Sequence, residues 1–224
     1  MAYHVGLQES EALSPTSVRN ERLFYDLAEM LVCDPVASSR AATRSALYSL
    51  GCRHIEICGS LRDLLEALEN RPPDAALCEA QVGEAELCRA IRDLRQGHGY
   101  NPFAIVIVTA WKPSAALVTE LLATGADGVL ARPFSTALLD QRIRAHVLQQ
   151  KPFVVTDDYI GPERRSSGLQ SDTLSITRPN SLRVKLDHPE YPEEAICRFD
   201  NDLRRARTEL MAAKRQKTNL QLDD

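Results

Sequence analysis

The sequence predicts an α/β protein in which a five-stranded parallel sheet is wound on both faces by helices. Two observations predict it. Apolar runs of strand length, MLVCD (30–34), HIEIC (54–58), AALCE (75–79), FAIVIVT (103–109) and the shorter GVLA (128–131), alternate with longer segments of helical spacing. Most of the runs are nearly continuous in apolar residues, as strands covered on both faces are.

Taken in order, residues 1–28 form a polar extension in which LSPTSVRNERLFYDLAE predicts one helix, capped by Ser14 or Thr16. The doubly wound domain occupies 29–150. Its first helix, SSRAATRSALYSLG (38–51), places Ala42, Ala46 and Leu50 on one face and stops at Gly51. SLRDLLEALEN (60–70), EAELCRAIRDLRQG (84–97), SAALVTELLATGA (114–126) and STALLDQRIRAHVLQQ (135–150) repeat the helical period. KPFVVTDDYIGPERRSS and the Ser/Thr/Pro-rich stretch after it lack a sustained period, which predicts an extended, poorly packed linker or strap over 151–192.

From 193 to 224 the period returns as a C-terminal α-helix. Ile196, Phe199, Leu203, Ala206, Leu210, Ala213, Lys217 and Leu220 step by three and four, the spacing of a coiled-coil seam. Such a helix pairs with a second copy through 193–222, docks on a partner helix, or lies on its own domain, and the spacing alone does not choose.

With 224 residues, 44% of them apolar, the chain can bury one substantial core and carry appendages. A net charge of −4 gives no whole-protein attraction to nucleic acid or to an anionic membrane. The longest strongly apolar run, Phe103 to Trp111, is too short to span a bilayer, and MAYHVGLQES has neither a basic start nor an apolar stretch. The expectation is a soluble, cytoplasmic chain with no membrane partner. Cys33, Cys52, Cys58, Cys78, Cys88 and Cys197 form no CxxC pair and are expected as buried, reduced thiols. His4, His54, His98, His146 and His188 are isolated, and neither a nucleophile elbow nor a glycine-rich phosphate loop is present, so no catalysis is expected.

In a doubly wound sheet the residues that act lie just beyond the carboxyl ends of the strands. Here these are Asp34-Pro35, Glu79 with Gln81 behind it, Thr109, and Arg132-Pro133-Phe134. In this order and spacing, MLVCDPVASSR, PPDAALCE, IVIVTA and GADGVLARPF make residues 29–150 resemble the receiver domain of bacterial response regulators, whose sheet is flavodoxin-like. The resemblance implies two-component, phosphorelay signalling, with a histidine kinase among the candidate partners. In that family a pair of acids after the first strand and an aspartate after the third hold Mg²⁺. The same aspartate accepts the phosphoryl group, a Thr or Ser binds its oxygens, and a Lys before a cis-proline neutralises them. Each demand is physical: a hard cation takes oxygen ligands, and developing negative charge takes a hydroxyl and a cation.

This chain keeps Asp34, Thr109, Pro133 and Phe134 and departs elsewhere. Pro35 stands where the second acid belongs, Glu79 replaces the acceptor aspartate, Gln81 follows in a shortened loop, and Arg132 replaces the lysine. The expectation is a degenerate, or pseudo-, receiver without a cofactor that works by protein–protein contact independent of phosphorylation. In it Glu79 and Arg132 form a bidentate pair in place of a phosphoaspartate, and Asp34 and Glu79 are the metal ligands only if Mg²⁺ binding survives. One alternative is a genuine phosphoacceptor with unusual ligands. Another is a nucleic-acid-binding regulator that uses Arg204, Arg205, Arg207, Lys214, Arg215 and Lys217 against Glu209 alone. The candidate interaction surface comprises Trp111, Val129 (where the family carries an aromatic), Phe134, Arg164 and Arg165. The last two belong to DYIGPERR, which looks like a tail found in a subset of receiver proteins.

Overall fold

The computed structural model describes residues 23–71, 73–97, 101–149, 151–156, 159–164, 174–179 and 192–222, with side chains of the last segment described over 200–218. Strands β1 (Glu29–Cys33), β2 (His54–Cys58), β3 (Ala75–Glu79), β4 (Ile105–Trp111) and β5 (Gly128–Arg132) form one parallel sheet in the order β2-β1-β3-β4-β5. Helices α1 (Ala37–Ser49), α2 (Leu61–Asn70), α3 (Glu84–Gln96) and α4 (Ala115–Ala123) make the four crossovers that parallel pairing requires, and α5 (Thr136–Gln149) follows the last strand. This is the doubly wound, flavodoxin-like architecture expected.

Each face of the sheet carries its own apolar core. On one, Leu31, Cys33, Ala76, Cys78, Val106 and Val108 meet residues of α2, α3 and α4, among them Leu64, Ile91 and Leu121. On the other, Met30, Val32, Leu77 and Ile107 meet Leu47 of α1 and Leu139 and Ile143 of α5. The alternation along each strand explains the continuous apolar runs, because successive side chains serve opposite cores. Five cysteines (Cys33, Cys52, Cys58, Cys78, Cys88) are free and buried, and burial pushes Cys33 and Cys52 up to about 12, which leaves them as inert thiols.

Local signals set the element ends. Ser60 and Asp63 form a capping box at the start of α2, Ser114 accepts from the Leu117 amide at the start of α4, and Gly97 closes α3 in the left-handed region at φ 76°.

Three expectations change. The buried face of α1 is Thr43 and Leu47; Ala42 is exposed, and Ala46 and Leu50 are half-buried. The N-terminal helix falls mostly outside the described residues. Its described end is instead an extended segment and turn, with Leu23 and Tyr25 buried in the α1–α5 core and the Tyr25 hydroxyl donating to Asp140 at 2.8 Å.

The third change concerns 151–192, which is not simply a poorly packed linker. Strands β6 (Phe153–Val155), β7 (Ile160–Pro162) and β8 (Leu174–Ile176) pair antiparallel in the order β7-β6-β8. Three-residue strands are too short to show a period in sequence, but here Phe153 is fully buried. It meets Phe103 edge-on at 4.9 Å, and the guanidinium groups of Arg95 and Arg178 sit 5.5 and 5.6 Å from its ring centroid.

The same two arginines converge on buried Asp127, which precedes β5. Arg95 donates to its Oδ2 at 3.0 Å, Arg178 to both carboxylate oxygens, and the Val106 amide to Oδ2 at 2.8 Å. Burial opposes the charge on Asp127, yet the two guanidinium groups outweigh it and hold the carboxyl well below the usual carboxylate range. Gly161 is closely packed: a Cβ there would lie 2.5 Å from the Tyr159 hydroxyl and 3.2 Å from Gly125 Cα, so the Tyr159 ring would have to shift to admit it.

Helix α6 (Pro192–Leu222) covers this assembly. Ala206, Leu210 and Ala213, with Leu203 beside them, join Phe103, Phe153, Ile160 and Ile176 in a third core. The described part of the heptad seam, Leu203 to Lys217, therefore lies on its own chain. That surface is not available for the expected homodimer contact through 193–222; the side chains of Ile196, Phe199 and Leu220 fall outside the described residues. Among the described residues no helix is long and apolar enough to cross a membrane.

Candidate functional site

Four side chains meet beyond the carboxyl ends of the sheet. In register, Glu79 at the end of β3 is paired with Thr109 of β4, and Trp111 of β4 with Arg132 of β5, while β1 delivers Asp34 one residue past its end. Asp34, Glu79 and Thr109 are each only 1% exposed.

Arg132 ties them together. Its Nε donates to Glu79 Oε2 at 2.6 Å and lies 3.2 Å from Thr109 Oγ1, and its Nη2 donates to Asp34 Oδ2 at 2.9 Å. Thr109 in turn donates to Glu79 Oε2 at 2.7 Å. The expected Glu79–Arg132 contact is present, but it is a single bond to one oxygen and not a bidentate pair. The guanidinium divides its fork between two acids, and its third nitrogen, Nη1, donates to Ser39 Oγ at 2.7 Å. Glu79 Oε1 is left buried without a hydrogen-bond partner among the described residues.

The pattern of α1 explains the division. Ser39 and Thr43 stand four residues apart on the face of α1 that looks into the pocket, and Thr43 Oγ1 also accepts from Arg132 Nη2 at 3.4 Å. Asp34 is itself fixed: its Oδ1 accepts from the Val36 amide at 2.8 Å and its carbonyl accepts from Arg40 Nη1. Sequence reasoning missed Ser39, Thr43 and Arg40. A period count centred on the buried positions Thr43 and Leu47 would have turned Ser39 inward too.

Of the remaining expected site residues, Pro35 is exposed and supplies nothing to the pocket, and Gln81 is exposed in the 3-10 turn after β3. Pro133 follows a cis peptide bond from Arg132. Phe134 lies under the guanidinium, its ring centroid 5.1 Å from Arg132 Cζ, and packs against the α1–α5 core. Val129 is half-buried against the opposite core. Trp111 is 51% exposed on the rim.

Arg164 is not the surface handle expected of it. Its guanidinium reaches the Leu122 carbonyl in the last turn of α4 at 2.9 Å and the Ala126 carbonyl in the turn that follows, so it acts as an internal cap. Arg165 lies outside the described residues. On α6, Lys214 donates to the Gln96 carbonyl at 2.9 Å and Lys217 is buried, so two of the six expected outward cations face the fold.

Residues 30–144 match the family model of the response regulator receiver domain. No curated protein matches the chain at a significant level. Similar solved structures include a CheY-like receiver domain protein from Methanospirillum hungatei JF-1, 20% identical over 53% of this chain and 91% of that one, with a TM-score of 0.47. CheY4 of Vibrio cholerae is also 20% identical, over 52% of this chain and 96% of that one, with a TM-score of 0.47. The receiver domain of a sensor histidine kinase from Pseudomonas aeruginosa PAO1, with a magnesium ion coordinated in its active-site cleft, is 22% identical over 53% of this chain and 95% of that one, also at 0.47.

Proposed function

We propose, from the premise that this chain belongs to the response regulator receiver domain family, that it serves two-component signalling without accepting a phosphoryl group and conveys its state by contact with a protein partner. One observation carries the reading: the Arg132 guanidinium sits between Asp34 and Glu79, where the family places a cation and a phosphoryl group, and is hydrogen-bonded to both acids. Two carboxylates, Arg132 and the nearby Arg40 balance in charge, so an incoming dianionic phosphoryl donor meets no net attraction.

The donor set does not fit Mg²⁺. That ion takes near-octahedral oxygen coordination and usually one or two carboxylates. Here three of the four carboxylate oxygens are already hydrogen-bonded to the chain, which leaves Glu79 Oε1 alone. Among the described residues no group of three or more His, Cys, Asp or Glu is placed to hold a metal.

A bridge that joins β1, β3, β4, β5 and α1 fixes one arrangement of the strand ends. The surface beside it, with Trp111 half exposed and Phe134 beneath Arg132, is what a partner would read. A histidine kinase is a candidate partner, and no catalysis by the chain itself is involved.

The test is to incubate the chain with acetyl phosphate and Mg²⁺ and measure acid-labile phosphate and intact mass. No phosphorylated species is expected. An acyl phosphate on Glu79, formed in proportion to the protein, would refute the reading and favour a phosphoacceptor with unusual ligands.

A further inference from the structure

A second surface lies away from the pocket. Between the outer face of α1 and strand β2 runs an open groove lined by Arg40, Arg44, Ser45, Tyr48, Ser49 and Ile57. Large apolar side chains are left in solvent there: Tyr48 is 53% exposed and Ile57 38%, and Val36, adjacent in the chain to the groove residue Ala37, is 46% exposed. Single exposed apolar residues are ordinary, whereas several around one concavity mark a contact surface.

The groove is also basic. Arg53 lies over the Tyr48 ring at 4.8 Å from its centroid and donates to the Tyr48 carbonyl at 3.2 Å, and Arg44 is exposed with no ion-pair partner among the described residues. Among the described residues no carboxylate lines it, and the acid of the adjoining strand, Glu56, precedes Ile57 and so points to the other face of the sheet. Strand β2 is the edge of the sheet, paired on one side only with β1, so its outer main-chain groups have no strand partner.

We propose that this groove docks an extended segment of a partner protein whose groove-facing side chains, every second residue, are acidic and apolar in turn. Its carboxylates would meet Arg44 and Arg53, its apolar side chains would lie on Tyr48 and Ile57, and its backbone would run along β2. Single-stranded nucleic acid fits less well. It binds through free aromatic faces, one face of Tyr48 is taken by Arg53, and Val36 and Ile57 offer nothing to phosphates. Arg40 borders both sites through its bond to the Asp34 carbonyl, but Ser39 and Thr43, which hold Arg132, stand on the other face of α1 from Arg44 and Tyr48.

The experiment measures fluorescence anisotropy of a labelled dodecapeptide repeating Glu-Ser-Leu-Ser, which presents Glu and Leu in turn on one face, against the full chain. The same peptide with Lys for Glu and an oligothymidylate serve as competitors. The Glu peptide is expected to bind, to weaken as salt is raised, and to slow amide exchange across His54–Cys58. Arg44→Glu and Tyr48→Ala, both at exposed positions where far-UV circular dichroism should not change, should each weaken binding about tenfold or more. The proposal is overturned if Arg44→Glu binds as wild type does, if the Lys peptide competes equally, or if the oligothymidylate displaces the peptide.

Discussion

Substituting Arg132 by methionine removes the guanidinium while keeping an unbranched side chain over Phe134. It leaves Asp34 and Glu79, each 1% exposed, as neighbouring carboxylates without a cation, and deletes the bonds of 2.6 Å to Glu79, 2.9 Å to Asp34 and 2.7 Å to Ser39. The Arg132 side chain is itself only 7% exposed, so solvent screens the change little. Breaking a buried pair from one side costs about 3–5 kcal/mol, mostly as the penalty of the charge left behind. The assay is urea unfolding at neutral pH of Arg132→Met, Glu79→Gln and the double variant. Glu79→Gln should cost about 1 kcal/mol, because the amide oxygen still accepts from Arg132. The double variant should be more stable than Arg132→Met, because one stranded charge is gone, giving a coupling energy of about 2 kcal/mol. If Arg132→Met costs less than about 1 kcal/mol and the two effects add, the acids are reached by water. The guanidinium then does not hold the pocket, and the site is not self-occupied.

Other outcomes follow from the strap and the buried titratable groups. Asp127→Asn strands Arg95 and Arg178 and should cost about 3–5 kcal/mol near neutral pH. Because the folded Asp127 carboxyl is held below its unfolded value of about 3.9, its contribution is complete above that pH and drains away as pH falls further, so acid unfolding from pH 5 downward should lose this limb in the variant. Burial lowers His146 from 6.5 to about 4, so its neutral form stabilises the fold above pH 6.5 and that gain is lost as pH falls from 6.5 to 4, by up to about 3 kcal/mol. An NMR titration of the imidazole with midpoint near 6.5 would contradict this. Gly161→Ala should destabilise the strap by about 1–3 kcal/mol and raise amide exchange over Phe153–Val155. A chain ending after residue 150 should expose Phe103 and Arg95, bind a hydrophobic dye and aggregate, whereas a self-sufficient domain would stay monomeric and unfold cooperatively.

The five strands and the five helices that cover them were legible because each is long enough to show its period, and the observed ends fall within about three residues of the expected ones. The contact between Glu79 and Arg132 was legible too, because the carboxyl ends of β3 and β5 must lie on one rim. The split of the guanidinium was not, since it depends on the rotation of α1, and the expected face was turned from the observed one: Thr43 and Leu47 are fully inside, Ala46 and Leu50 only half-buried, and Ala42 exposed. Arg95 left a readable trace. It follows Cys88 and Ile91 by seven and four residues on the buried stripe of α3, and an arginine there signals a buried partner. Arg178 left none, because its burial depends on three short strands whose pairing is non-local. The destination of α6 was ambiguous because small and long-stemmed residues in a seam suit a neighbouring sheet as well as a second helix.

Trp111 gives the chain a convenient optical property. It is the only tryptophan in 224 residues, and half of it already faces water in the native molecule, beside Arg132 on the edge of the sheet. Global denaturation should therefore move its emission little, while anything that settles over that edge strips solvent from the indole and shifts the spectrum to the blue. The native protein can in this way report occupancy of one small patch without a label, on a background that loss of structure elsewhere scarcely disturbs.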